Sequence, residues 1–372
     1  MRQKKLYVYI LLTVISLLAA CSGSENGIEE ENFANTGQGV FILNEGNYNS
    51  GNSTLSYYNP ETKTVENGVF KRANDRKLGD TGQSVTIHDG VAYIAVENSG
   101  IIWGIDTETF RVKGQLTSSQ TEHMINPRYV HVISDTKAYV TDLYSPYITI
   151  FNPKSFQHIG SISIPEAKSN GYASTELMVK YGKYVFVNCW CYTDLIVVID
   201  TEQDAVVDSI HLKTSFQPKS MMLDARNKLW VITDGGYTTN DDSYGENIPH
   251  LYRIDAETHS IEDDQALDTD ESTVQIAINS TRDTLYIINN DIYRMGIQEN
   301  HVPVRPFIQA PKDNKGARHK LYGINVNPRN GDIYVADAVD YSQSGMIYRY
   351  SREGALLDQF RVGINPNGFA FK

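Results

Sequence analysis

Ala138-Tyr139-Val140-Thr141-Asp142 decides the fold, because its pattern, a β-type run with an aromatic or apolar centre that tends to close on Asp or Asn, recurs along the chain. Val40-Phe41-Ile42-Leu43-Asn44, Ala92-Tyr93-Ile94-Ala95-Val96, Tyr184-Val185-Phe186-Val187-Asn188, Leu229-Trp230-Val231-Ile232-Thr233, Leu285-Tyr286-Ile287-Ile288-Asn289 and Ile333-Tyr334-Val335-Ala336-Asp337 bring the copies to seven. They are spaced by roughly 45 to 56 residues, the length of a four-stranded propeller blade and longer than most helical solenoid repeats. A third strand recurs as well, in Trp103-Gly104-Ile105-Asp106-Thr107, Ile148-Thr149-Ile150-Phe151-Asn152-Pro153, Val197-Val198-Ile199-Asp200-Thr201 and Leu251-Tyr252-Arg253-Ile254-Asp255-Ala256, each running into a turn-former before a fourth strand. The pattern predicts an all-β chain, a seven-bladed β-propeller over residues 39–372. No helical period of 3.6 competes with it.

A propeller closes its ring because an unpaired sheet edge invites slippage and aggregation. The first copy starts abruptly at Gly39-Val40, whereas the chain finishes with Asn365-Pro366-Asn367-Gly368-Phe369-Ala370-Phe371, which has the character of a first strand. The C-terminal strand is therefore expected to complete the first blade.

Ahead of the repeats, Arg2, Lys4 and Lys5 precede an apolar run from Leu6 to Leu18. That run is shorter than the roughly 20 residues a bilayer span needs, so residues 1–20 read as a secretory signal peptide. Leu18-Ala19-Ala20-Cys21 reads as a lipobox, with Cys21 the lipidated residue. Residues 21–38, with Ser22-Gly23-Ser24 and Glu29-Glu30-Glu31, read as a flexible acidic tether. The tether resembles the acidic export tag of lipoproteins of Bacteroides-like bacteria, which implies a lipid-anchored place on the outer membrane, facing out of the cell. Residues 1–20 hold three positive charges, so their removal takes the net charge from -12 to about -15. An acidic body without Lys/Arg clusters argues against nucleic-acid binding.

Leu43-Asn44-Glu45-Gly46-Asn47, Leu78-Gly79-Asp80-Thr81-Gly82-Gln83, Asn126-Pro127-Arg128-Tyr129, Gly331-Asp332-Ile333-Tyr334-Val335-Ala336-Asp337-Ala338 and Gly363-Ile364-Asn365-Pro366 together resemble the YncE-like surface lipoproteins of Bacteroides and its relatives, from about Gly39 to Lys372. The resemblance implies a surface protein that captures a nutrient, cobalamin (vitamin B12) in the best-understood branch, and passes it to a TonB-dependent outer-membrane transporter. It implies no ligand-contacting residues; those come from this sequence alone.

In a propeller, the loops between second and third strands gather on one face around the channel. Here they hold Tyr48, Tyr144, Tyr147, Trp190, Tyr192, Tyr237, Tyr244 and Tyr341, and Tyr offers a rigid plane with a hydroxyl that suits a partly wet site. Asn44, Asp142, Asn188, Asn289 and Asp337 occupy matching strand ends and are expected to form a polar ring near the channel mouth. The plainer alternative is that the aromatics pack between blades and the strand-end residues bond their own turns. The longest such loop, Asp234 to Pro249, is expected to arch over the face.

No catalytic motif emerges, and no cofactor is required. Cys189-Trp190-Cys191 has no second pair or nearby His, so buried structural thiols or a bridge outweigh a metal site. The histidines are scattered. The acidic stretch from Glu262 to Glu271 reads as a solvated blade edge rather than a calcium site. The expectation is a non-enzymatic capture protein for cobalamin or another corrinoid. Its competitors are a metal-dependent lactonase- or lyase-like propeller enzyme, with a divalent ion among channel acids, and a glycan-binding or adhesion protein.

Overall fold

The computed structural model describes residues 37–236, 248–267 and 274–372. Their strands form seven antiparallel sheets, six of four strands and one of three. Seven inner strands, Gly82–His88, Pro127–Ser134, Thr175–Tyr181, Pro218–Leu223, Gln275–Ile278, Leu321–Val326 and Pro366–Phe371, stand side by side in a closed circle around a central channel. The protein is a seven-bladed β-propeller. Among the described residues, no helix is long and apolar enough to cross a membrane.

The recurring runs are the second strands of the blades, and the architecture explains why they are apolar almost without alternation. Each lies between two neighbouring blades and buries both faces. In the first blade, Val40 and Ile42 pack with Tyr334, Ala336 and Ile347 of the seventh, while Phe41 turns the other way onto Phe110 of the second. Phe41 is fully buried, which stabilises the fold by about 2 to 3 kcal/mol relative to an exposed ring.

In the first five blades an Asp or Asn at the end of the third strand forms the next turn. Oδ1 of Asn59, Asp106, Asn152, Asp200 and Asp255 accepts hydrogen bonds from the backbone N–H groups two and three residues on. The residue four positions on, Lys63, Phe110, Phe156, Asp204 and His259 respectively, then takes a left-handed backbone with φ near 55°. In the second blade, Gly104 lies opposite Gly114, and their missing side chains leave a slot filled by the Phe156 ring.

The ring closes as expected: Pro366–Phe371 pairs with Val40–Asn44 and becomes the inner strand of the first blade. The sixth blade departs from the four-stranded plan. Its described sheet stops at Asp291–Gly296, and the chain returns across that edge through the Ile292–Ile308 bridge. One strand boundary also differs from expectation. The second strand of the fourth blade runs Tyr184–Cys189, so it is Cys189, paired with Thr175, that matches Asp142 paired with Pro127. Cys189 ends the strand and Cys191 lies in the turn beyond, so the two do not alternate on one strand; both thiols are buried and unbridged.

Candidate functional site

At six blades the inner strand carries an irregularity just after its first residue, where the pairing register with the second strand shifts. The residues skipped there include Gln83, Arg128, Glu176, Lys219, Tyr322 and Asn367, and Gln275 supplies the contribution of the remaining, sixth blade. A bulge re-aims the side chain it carries. Here the bulges form a ring of polar groups in a cavity of about 520 Å³ at one end of the channel. Glu45, Glu97, Leu143 and Trp190, each one residue beyond the end of a second strand, join the lining from above. Val85, Leu177, Met222, Ile276, Ile324 and Phe369 supply its apolar wall.

Arg128 organises the charges. Its Nε donates to both carboxylate oxygens of Glu176, at 2.8 and 2.9 Å, and Nη1 donates to Gln83 Oε1 at 2.8 Å and to Glu97 Oε2. Burial alone would weaken its hold on the proton, but Glu176 and Glu97 outweigh that and raise its pKa. Burial pushes Glu176 up to about 7 against the opposing pull of Arg128. Across the ring, Glu45 accepts from Asn367 Nδ2 and from the Tyr322 hydroxyl, both at 2.8 Å, and burial raises its pKa too. Gln83 Nε2 donates to the Tyr129 hydroxyl at 3.3 Å.

Tyr129, Trp190 and Tyr322 are among the residues lining this cavity, and further aromatics lie in the loops at the same end of the blades. Trp190 Nε1 donates to Asp234 Oδ2 at 2.9 Å. Tyr144 stacks on Tyr172 at 5.3 Å between centroids, and Tyr172 leans on Tyr192 at 5.7 Å. Burial first, then the neighbouring Tyr172, Tyr48 and Glu97, raise the pKa of the Tyr144 hydroxyl, so the fourth-blade aromatics and Tyr48 of the first blade act on one spot. Tyr341 meets Tyr322 edge-on at 5.6 Å. Tyr48, Tyr144 and Tyr341 are exposed. Tyr192 and Tyr341 hold left-handed backbone, a conformation costly for a bulky residue and concentrated at functional sites. Tyr147 is placed differently, stacked on His123 at 3.7 Å.

The strand-end residues expected to form the polar ring are buried, and most of their bonds go to neighbouring backbone and side chains away from the channel ring. Asn44 donates to Thr54 and Ser56 and accepts from the Gly363 N–H. Asp142 accepts from the N–H groups of Ile125, Asn126, Tyr144 and Ser145, and Asp337 from His319 and the Val339 N–H. Asn188 donates to the Pro218 carbonyl, while its Oδ1, like that of Asn289, is buried without a partner among the described residues. The channel ring lies beside them, on the inner strands. Tyr237, Tyr244 and Cys21 fall outside the described residues. A sequence signal for the ring exists in Pro127, Pro218 and Pro366, each opening an inner strand immediately before a channel residue.

Among the described residues, one exposed cluster, His88, Asp89 and Asp135, has ligand atoms close enough together to hold a cation. It sits at the far end of the inner strands from Gln83, and Asp135 is already paired with Lys154.

Residues 38–363 match a family described as a domain of unknown function, DUF5074. No curated protein matches the chain. Similar solved structures include a quinoprotein alcohol dehydrogenase-like protein from Bacteroides thetaiotaomicron, with 16% identity over 91% of this chain and 79% of that one and a TM-score of 0.67. A hypothetical selenium-binding protein from Sulfolobus tokodaii has 11% identity over 90% and 93% and a TM-score of 0.67. A candidate 6-phosphogluconolactonase from Bacteroides fragilis has 14% identity over 91% and 99% and a TM-score of 0.64. At such identities these likenesses show the fold alone.

Proposed function

The chain belongs to the DUF5074 family, and from that premise we propose that it is a non-enzymatic binding protein that captures a nutrient, cobalamin or another corrinoid, at the channel mouth. In this reading the lipid on Cys21 anchors it to the outer membrane, facing outward, and a TonB-dependent transporter receives the ligand. The observation that carries the proposal is the juxtaposition of an exposed aromatic rim with a rigid ring of amide and charged groups in the cavity beneath it. The cavity lies within the range of small-molecule sites, about 300 to 1,000 Å³. A corrinoid is larger, so its ring system would lie on the rim with its amide-bearing arms reaching into the channel. A closed propeller holds such groups in place before the ligand arrives, which lowers the ordering cost of binding.

The same geometry weighs against metal-dependent turnover. Glu97 and Glu176 share Arg128, and both oxygens of Glu45 are engaged by Asn367 and Tyr322. A divalent ion among these acids would have to displace a guanidinium. One observation favours a lactonase- or lyase-like alternative: Glu176, at about 7, has the affinity for a proton that suits a general base. A glycan would use the same aromatic rim.

Calorimetric titration of the full chain in detergent with cyanocobalamin tests the proposal, with a Trp190→Ala/Tyr192→Ala variant as control. Saturable one-to-one binding, weakened about tenfold or more in the variant, supports capture at this face. No heat and no shift in melting temperature would exclude cobalamin. Hydrolysis of a lactone that depends on added divalent cation would favour the enzyme.

A further inference from the structure

The polar ring is not uniformly satisfied, and the open groups sit together. Among the described residues, Arg128 spends Nε on Glu176 and Nη1 on Gln83 and Glu97, which leaves Nη2 without a partner. Among the same residues Glu97 accepts only on Oε2, so Oε1 has no partner there either. Both side chains are about nine-tenths buried, at 11% and 6% exposure, and both line the cavity. Neither open atom is among the polar atoms sealed from solvent, so both face the cavity space.

We infer that the ligand seats an uncharged primary carboxamide between Arg128 and Glu97, and that this pair sets the ligand class. The inference rests on the capture reading above. Arg128 Nη2 is a donor and Glu97 Oε1 an acceptor. A carboxamide answers both, its carbonyl accepting from the guanidinium and its NH2 donating to the carboxylate. A ligand carboxylate would meet Arg128 but set a second negative charge against Glu97, with Glu45 and Glu176 nearby. A ligand ammonium would pair with Glu97 and face the guanidinium. Either mismatch leaves a buried charged group poorly paired, which is costly. A corrinoid, whose arms end in carboxamides, supplies the group required.

The test compares cyanocobalamin with the monoacids obtained by hydrolysing its side-chain amides one at a time, each titrated into the full chain. At least one monoacid should bind about 100-fold more weakly than cyanocobalamin. In Glu97→Gln that discrimination should shrink to about tenfold or less, because the repelling charge is gone and the new amide can donate to a carboxylate. The wild-type comparison needs no variant to fold. Cyanocobalamin that binds while every monoacid binds within about threefold of it would overturn this inference alone. So would a Glu97→Gln protein that keeps the full discrimination. Cyanocobalamin that does not bind at all would overturn the capture reading, and this inference with it.

Discussion

Arg128 and Glu176, on adjacent inner strands, meet through one guanidinium nitrogen, Nε, that lies 2.8 and 2.9 Å from the two carboxylate oxygens. Both side chains leave the backbone where the strand pairing is interrupted. The contact therefore joins two blades at the channel as well as neutralising a buried acid.

Removing the cation should be severe. Arg128→Met leaves Glu97 and Glu176 buried without their partner and is expected to cost about 3 to 5 kcal/mol in urea unfolding at pH 7. The loss should shrink at pH 5, where the orphaned Glu176 carboxyl takes up a proton. Arg128→Lys should recover only part of it, because an ammonium lacks the planar fork that reaches three acceptors. A Met variant as stable as the parent at pH 7 would show that the network is not structural.

A buried acid and a partly buried histidine give opposite pH dependences. Burial raises Glu176 from 4.5 to about 7, so the folded protein keeps a proton that the unfolded chain releases, and this term lowers stability as pH rises between those values. Burial, helped by Lys180 and His88, lowers His131 from 6.5 to about 4, so the unfolded chain binds the extra proton and this term raises stability over pH 4 to 6.5. Glu176→Gln should leave the rising term exposed, and His131→Asn the falling one. Urea midpoints measured from pH 4 to 7.5 should diverge in these directions; profiles parallel to the parent would refute the assignment.

Closure by the last strand predicts a sharp response to its loss. Deleting residues 365–372 removes the inner strand of the first blade, with buried Phe369 and Ala370, and exposes a strand edge on Val40–Asn44. The truncated chain should lose cooperative unfolding or aggregate. Phe369→Ala alone should cost about 3 kcal/mol or more. A truncated chain that melts like the parent would contradict the closure.

The Gly104 slot is tight enough for a volume test. A Cβ at Gly104 would lie 2.0 Å from Cζ of Phe156, and one at Gly114 would lie 2.2 Å from its Cδ2. Gly104→Ala should destabilise by about 1 to 3 kcal/mol. In a Phe156→Ala background the same substitution should cost far less, a coupling that a double-mutant cycle reads directly.

The fold was legible because burial between blades imposes one residue class on every second strand. The Asx turns made the third strands visible in the same way: Asp106, Asn152, Asp200 and Asp255 recur because the turn needs their side-chain oxygen. Tyr48, Tyr144, Trp190, Tyr192 and Tyr341 fall in loops between second and third strands, where the repeat pattern put them. The channel ring could not be placed in this way, because what recurs there is a backbone irregularity, while the residues it presents, Gln83, Arg128, Glu176 and Lys219, differ in charge and size. Asn44, Asp142 and Asp337 drew attention by matching one another, but residues that match across blades are serving what the blades share, their turns. The individuality of the site lies where the blades differ.

The pairing of Val40–Asn44 with Pro366–Phe371 also sets an order of events. A chain emerging from its N-terminus commits its first strand early and waits for the last residues to supply that strand's neighbour. Six blades can form from locally contiguous sequence, but the first is the last to be finished, through contacts that span nearly the whole polypeptide and are correspondingly slow to form. Until then the molecule is an open arc whose two ends are the right shape for each other, or for the ends of another copy.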